Sequence, residues 1–183
     1  MDPSTSPDKI LLRTSRFNVV EVSRVATDGS IRQRQILRHP GAVTILPMVD
    51  DQRVCLIRNF RVTANRPLLE LPAGTLDPQE DPQDAAKREL AEETGYRAGR
   101  WRHLHSFYLS PGILDERMHL YLANDLVAGE PAREPGEEIE TLVTPWEQAL
   151  RWIQTGEIED AKTIAGLLFY DQFRRAAAAN RGC

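Results

Sequence analysis

The 183-residue sequence predicts an α/β fold, a mixed β-sheet sandwiched between helices, with an N-terminal β-hairpin module ahead of it. Three observations carry the prediction. Short apolar, strand-like runs recur between Phe17 and Ala123. One of them, Leu68 to Leu71, leads directly into Pro72-Ala73-Gly74 and then a helical stretch, and two further helical segments follow Thr144. The length suits one domain able to bury a real core, and no internal repeat is visible.

In chain order, residues 1–10 are polar and rich in Pro and Ser, which predicts a flexible tail. Phe17 to Val25 alternates as a strand does, Thr27-Asp28-Gly29-Ser30 reads as a turn, and Ile31 to Leu37 returns; residues 11–40 therefore form a hairpin module. The main domain spans 41–183. Ala42 to Met48 and Arg53 to Arg58 are core strands joined at Asp50-Asp51. Gly74 is expected to supply backbone angles that other residues resist. A helix runs from about Asp84 to Thr94 and stops at Gly95, a good C-terminal cap. Trp101 to Tyr108 and Met118 to Ala123 are further strands. Thr144-Pro145-Trp146-Glu147 combines a capping box with proline at the first helical position, so a helix should run from there to about Gly156. A last helix covers about Asp160 to Ala179.

The formal charge of −4 gives no general attraction to nucleic acid or to anionic membranes. Only Lys9, Lys87 and Lys162 stand against twenty Arg, a ratio that compositional bias explains more simply than phosphate recognition. Cys55 lies in an apolar run and Cys183 ends the sequence, so no structural disulfide is expected. The opening MDPSTSPDK has no apolar core, and no segment reaches the roughly 20 apolar residues of a membrane span. A reducing cytoplasm is the expected compartment. His39, His103, His105 and His119 show no metal-site spacing, although His103 and His105 should share a strand face.

Chemistry concentrates between Gly74 and Tyr96. At about 100° per residue, Glu92 and Glu93 flank Glu89 on one arc of the helix. Like charges three and four apart cost a helix a few tenths of a kcal/mol per pair, and Arg88 offsets only part of that. Ala85 and Ala86 should leave room above the arc. Such hard oxygen donors suit Mg²⁺ or Mn²⁺, which take carboxylates together with substrate phosphates. A solvated acidic helix face is the bland alternative.

The spacing of Gly74, Glu80, Arg88-Glu89-Leu90, Glu92-Glu93 and Gly95 resembles the Nudix hydrolase signature, with Tyr96 where an aliphatic packing residue is usual. The resemblance implies an α/β/α sandwich and a metal-dependent hydrolase of nucleoside diphosphates linked to another group. It implies Glu89 and Glu93 as metal ligands, Glu92 as ligand or proton acceptor, and the Ala73 carbonyl as a further ligand. Glu80 is expected to pair with Arg88 or to support the metal shell, while Gly74, at the substrate, and Gly95 have backbone roles.

Ser110-Pro111-Gly112-Ile113-Leu114-Asp115-Glu116, with Pro111 sixteen residues after Gly95, looks like the ADP-ribose pyrophosphatase branch. So do His39-Pro40-Gly41-Ala42-Val43, Arg58-Asn59-Phe60-Arg61 and Leu69-Glu70-Leu71-Pro72-Ala73-Gly74. By that likeness Arg61 meets a phosphate, or is an ordinary surface pair. Glu116 faces the terminal ribose, or is a loop carboxylate. Glu70 binds substrate, or closes a strand-end ion pair. A catalytic glutamate is implied within residues 134–140, Glu137 first, then Glu138, then Glu134; the bland reading is a solubilising loop. The implied reaction is hydrolysis of ADP-ribose to AMP and ribose 5-phosphate. GDP-mannose or another nucleotide sugar is the alternative substrate. A non-catalytic ADP-ribose-sensing Nudix domain is the alternative of another class, although such domains tend to lose box carboxylates that are all present here. The branch also implies a homodimer through the N-terminal module, with Phe17 or nearby Arg residues reaching the partner's pocket.

Overall fold

A computed structural model describes residues 8–133 and 138–179, with side chains up to residue 172. Ten strands and three helices appear among them. Two sheets form: an antiparallel β1-β2-β3 sheet of Lys9–Arg13, Asn18–Val25 and Ile31–Arg38, and a seven-stranded mixed sheet. The mixed sheet runs β10 (Ile139–Pro145), β5 (Arg53–Arg61), β4 (Ala42–Asp50), β9 (Arg117–Val127) and β8 (Arg97–Tyr108). Here β6 (Arg66–Glu70) pairs with β5, and β7 (Ala73–Thr75) with β4. The β4–β9 pair is parallel and the others are antiparallel.

Strand β4 is buried from Ala42 to Met48 because both faces of the sheet are covered. Val43 and Ile45 face α1 (Pro82–Thr94), packing with Ala85, Ala86, Leu90 and Tyr121. Leu46 and Met48 face α2 (Trp146–Thr155) and α3 (Ala161–Ala179), packing with Leu56, Leu120, Trp146 and Leu167. The predicted α/β/α sandwich with a mixed sheet is the fold observed. Tyr96 packs against the α1-side core, as a packing position should.

Several boundaries differ from expectation, each for a local reason. Lys9–Arg13 is a strand, not the end of a tail: it takes up the free edge of β2 through Lys9↔Glu21 and Arg13↔Asn18 pairing, so the hairpin becomes a three-stranded sheet. Helix α1 begins two residues early because Asp81 caps it, accepting from the Gln83 N–H, and Pro82 fits the first turn. No capping box opens α2. Thr144 instead pairs with Val54 in β10, and the Trp146 N–H is taken by the Gln52 carbonyl (2.7 Å). Ala85 and Ala86 are fully buried against the sheet, so they set how closely α1 approaches it and open no space above the acidic arc. A bulge after His103 separates the two β8 histidines: His103 meets Tyr121, while His105 stacks on Phe169 on the opposite face. Cys55 is a buried free thiol, pushed up to about 12 by burial and by the nearby Glu93 carboxylate. No helix among the described residues is long and apolar enough to cross a membrane.

Candidate active site

Strand β7 brings the site together. It is held against the start of β4 by Thr44↔Ala73 and Ala42↔Thr75 pairing, which lays Gly74 on the flank of α1. A Cβ on Gly74 would stand 1.8 Å from Glu89 Oε1. Gly74 has no positive φ, so its role is to admit the Glu89 carboxylate rather than to adopt a special backbone angle, which corrects the expectation. Gly95 does need its left-handed φ of 78°, and there a Cβ would also strike the Gly129 carbonyl.

Arg88 bridges three carboxylates. Its Nε and Nη2 donate to Glu80 (2.9 Å each), and its Nη1 donates to Glu89 (2.7 Å) and Glu92 (3.2 Å). Glu80 also accepts the Asp77 N–H, and Arg88 holds its carboxyl below the usual range. The Arg88 guanidinium is raised in turn, by Glu80 first and Glu89 next, against the cost of burial. Glu93, only 3% exposed, accepts the Ala73 N–H at 3.0 Å. The expected Glu80–Arg88 pair is therefore present.

One guanidinium cannot balance four carboxylates, and hard oxygen donors in surplus beside a glycine backbone fit a divalent ion. Among the described residues no three acidic, imidazole or thiol groups are already gathered as a metal cage. Arg88 draws Glu89 and Glu92 to itself, while Glu93 turns to the Ala73 N–H.

Beyond β7 lies a cavity of about 260 Å³, lined by Arg61, Ala73, Gly74, Glu116, Asp160 and Lys162 together with small and apolar residues. Arg61 grips Glu70 with both arms, Nε to Oε1 at 2.7 Å and Nη2 to Oε2 at 2.6 Å. Lys162 Nζ donates to the same Oε2 and to Asp160 Oδ1 (2.9 Å). Glu70 is 1% exposed; burial alone would raise its carboxyl, but Arg61 and Lys162 outweigh that and hold it below the usual range. Of the two roles open to Glu70, the geometry shows the ion pair. Glu116 stands 3.8 Å from His39 Nδ1, and the Gly41 N–H donates to that nitrogen.

Glu138 is exposed and lines a neighbouring cavity of about 400 Å³ with Arg16, Asn59, Phe60 and Arg61. Glu134 and Glu137 lie outside the described residues. The chain enters that stretch from the end of α1, where the Ala132 N–H donates to the Glu92 carbonyl (3.0 Å) and Arg133 Nε to the Glu93 carbonyl (3.3 Å). Ile139 and Glu140, expected within a loop, belong to β10, where Glu140 pairs with Arg58.

Lys162 and Asp160 were not expected at the site. Asp160 Oδ2 accepts from the Thr163 N–H and hydroxyl, the pattern of a helix N-cap, and Thr163 Oγ1 accepts the Leu71 N–H. The available signal was one of only three Lys in an Arg-rich chain, two residues after a capping Asp.

The sequence pattern of the NUDIX domain matches residues 38–167, which span α1, β7 and both walls of the cavity. The chain belongs to the Nudix family. It is 38% identical over 156 residues to the ADP-ribose pyrophosphatase of Bacillus subtilis, covering 84% of each chain. It is 33% identical over 174 residues to the GDP-mannose pyrophosphatase of Escherichia coli O139:H28, covering 86% of this chain and 88% of that one. Its fold matches the crystal structure of an ADP compounds hydrolase with a TM-score of 0.81 over 93% of both chains, at 23% identity. The Nudix resemblance carried by residues 74–96 agrees with these matches.

Proposed function

We propose that this Nudix chain hydrolyses the diphosphate bond of ADP-ribose, releasing AMP and ribose 5-phosphate. It is an enzyme, a Nudix pyrophosphatase of nucleoside diphosphate sugars. The observation that carries the reading is the shared strand β7. Ala73 and Gly74 touch the α1 carboxylates on one side and line the Arg61–Glu116 cavity on the other, so a diphosphate in the cavity lies beside the acidic cluster.

Glu89, Glu92 and Glu93, with the Ala73 carbonyl, would hold Mg²⁺ or Mn²⁺, which when bound neutralises phosphoryl charge and lowers the pKa of an attacking water. Arg61, fixed by Glu70, presents its remaining N–H groups to a phosphate. Glu116 binds the terminal ribose, and a glutamate of the 134–140 stretch, Glu137 or Glu138, accepts the proton. Glu80 and Arg88 position the ligands.

The deciding experiment is a substrate panel in MgCl₂ with phosphatase-coupled detection: ADP-ribose, GDP-mannose, NADH, diadenosine polyphosphates and oxidised dGTP. ADP-ribose should give the highest kcat/KM. GDP-mannose in first place would support the second reading, which the Escherichia coli relative favours.

The β1–β3 module is read as the seam of a homodimer. Ile10, Leu11, Leu12, Phe17 and Ile31 are exposed on it, more apolar surface than so small a sheet should leave to water. Light scattering at micromolar concentration should give twice the chain mass; a monomer would remove this part of the reading. A cytoplasmic setting fits the free buried thiol of Cys55.

A further inference from the structure

We propose that Lys162 is a positioning residue for the substrate's phosphate, acting on Arg61 through the Glu70 carboxylate that both share. The proposal rests on the diphosphate reading of the cavity and adds the device that keeps it receptive to an anion.

Glu70 Oε2 accepts from both Arg61 Nη2 and Lys162 Nζ, and Oε1 accepts from Arg61 Nε. Two of the five guanidinium N–H groups of Arg61 are thereby committed, and its plane is fixed by the fork. Arg61 remains 37% exposed at the side chain, whereas Glu70 and Lys162 are buried behind it. Without Lys162 the negative charges of buried Glu70 and partly exposed Asp160 would fall on Arg61 alone, and the cavity wall would repel a phosphate. With it, two cations balance two carboxylates, and Arg61 keeps donors to spare.

The residue choice supports this role. In a chain of twenty Arg and three Lys, Lys9 and Lys87 are exposed and the third Lys is buried here. A compact ammonium fits between two carboxylates, where a second guanidinium fork would compete with Arg61 for both Glu70 oxygens.

The test is a double-mutant cycle of Lys162→Met and Arg61→Gln, read by calorimetric titration of the non-hydrolysable α,β-methylene-ADP in MgCl₂. Thermal melting checks that each variant is folded. Lys162→Met should weaken binding at least fivefold in the wild-type background and less than twofold in Arg61→Gln. With ADP-ribose it should raise KM by a similar factor while kcat stays within about threefold. Equal losses in both backgrounds, or no loss in either, would overturn the proposal. If Lys162→Met does not fold, Lys162→Gln, which removes the charge but can still donate to Glu70, is taken through the same cycle under the same criteria. Wild-type protein that neither binds the analogue nor hydrolyses any nucleoside diphosphate sugar would overturn the functional reading as well. Wild-type binding with Lys162→Met unmoved in it overturns this inference alone.

Discussion

Two charge networks meet at Ala73-Gly74, and they are built in opposite ways. The α1 network, Arg88 with Glu80, Glu89 and Glu92, closes within thirteen residues of chain and lies at a helix surface. The cavity-wall network, Arg61 and Lys162 on Glu70, joins β5, β6 and the start of α3 across a sequence separation of 92 and centres on a carboxylate only 1% exposed, with Arg61 at its open end. A surplus of acids at a surface costs the fold little and leaves ligands available. A buried pair resists change because removing one partner strands the other. The first network should therefore govern turnover, and the second should govern both stability and binding.

The largest expected effect falls on Glu93, the buried carboxylate that α1 holds beside the first network. Glu93→Gln keeps the shape and still accepts the Ala73 N–H, but removes a ligand charge. It should lower kcat for ADP-ribose by about 10³-fold, on the scale of losing a preorganised electrostatic partner, while the melting temperature stays within about 3 °C. A near-normal rate would sink the assignment of Glu93. Glu70→Ala tests the second network. Stranding Lys162 and Arg61 should cost about 3 kcal/mol, a fall of about 6 to 12 °C for a chain of this size. An unchanged melting curve would dissolve the distinction between the networks. Gly74→Ala falls on their junction. The added Cβ displaces the flexible end of Glu89 and not the backbone, so the fold should survive while kcat/KM drops by about 10². Wild-type kinetics in that variant would show that the Glu89 position is immaterial.

The same contrast explains what could be read from sequence. The Glu80–Arg88 pair, the α1 register and the Gly95 cap depend on residues close in the chain, where helical period and turn chemistry apply, and all were legible. The reason for Gly74 was not, because the close approach of Glu89 is a contact and not a backbone propensity. Glu70 could be left only between two roles, since its partner Lys162 belongs to a helix whose docking no local pattern specifies. Strand β10 was hidden for a similar reason. Its acidic approach reads as a loop, and its pairing comes from β5, for which Thr144 gives up the capping box. The bulge that parts His103 from His105 likewise breaks the period-two rule on which the shared face was argued.

Acid titration separates the networks most finely. Glu70 and Glu80 both have folded-state carboxyls below their ordinary value of 4.5, Glu70 because Arg61 and Lys162 outweigh burial and Glu80 chiefly through Arg88. A depressed carboxyl contributes stability that is full above the unfolded value and is lost as the pH falls through the folded one. The loss therefore lies below pH 4.5 for both. Solvent screens the Glu80 pair more, since its carboxylate is 16% exposed against 1% for Glu70. In urea melts from neutral pH down to about pH 3, Glu80→Gln should track the wild-type decline almost in parallel. Glu70→Gln should begin less stable and decline less, because the group whose protonation drives the loss is already neutral. Parallel slopes for Glu70→Gln and wild type would mean that the buried carboxylate is not the acid-labile group. Equal flattening by both variants would mean that the surface and buried networks are energetically alike.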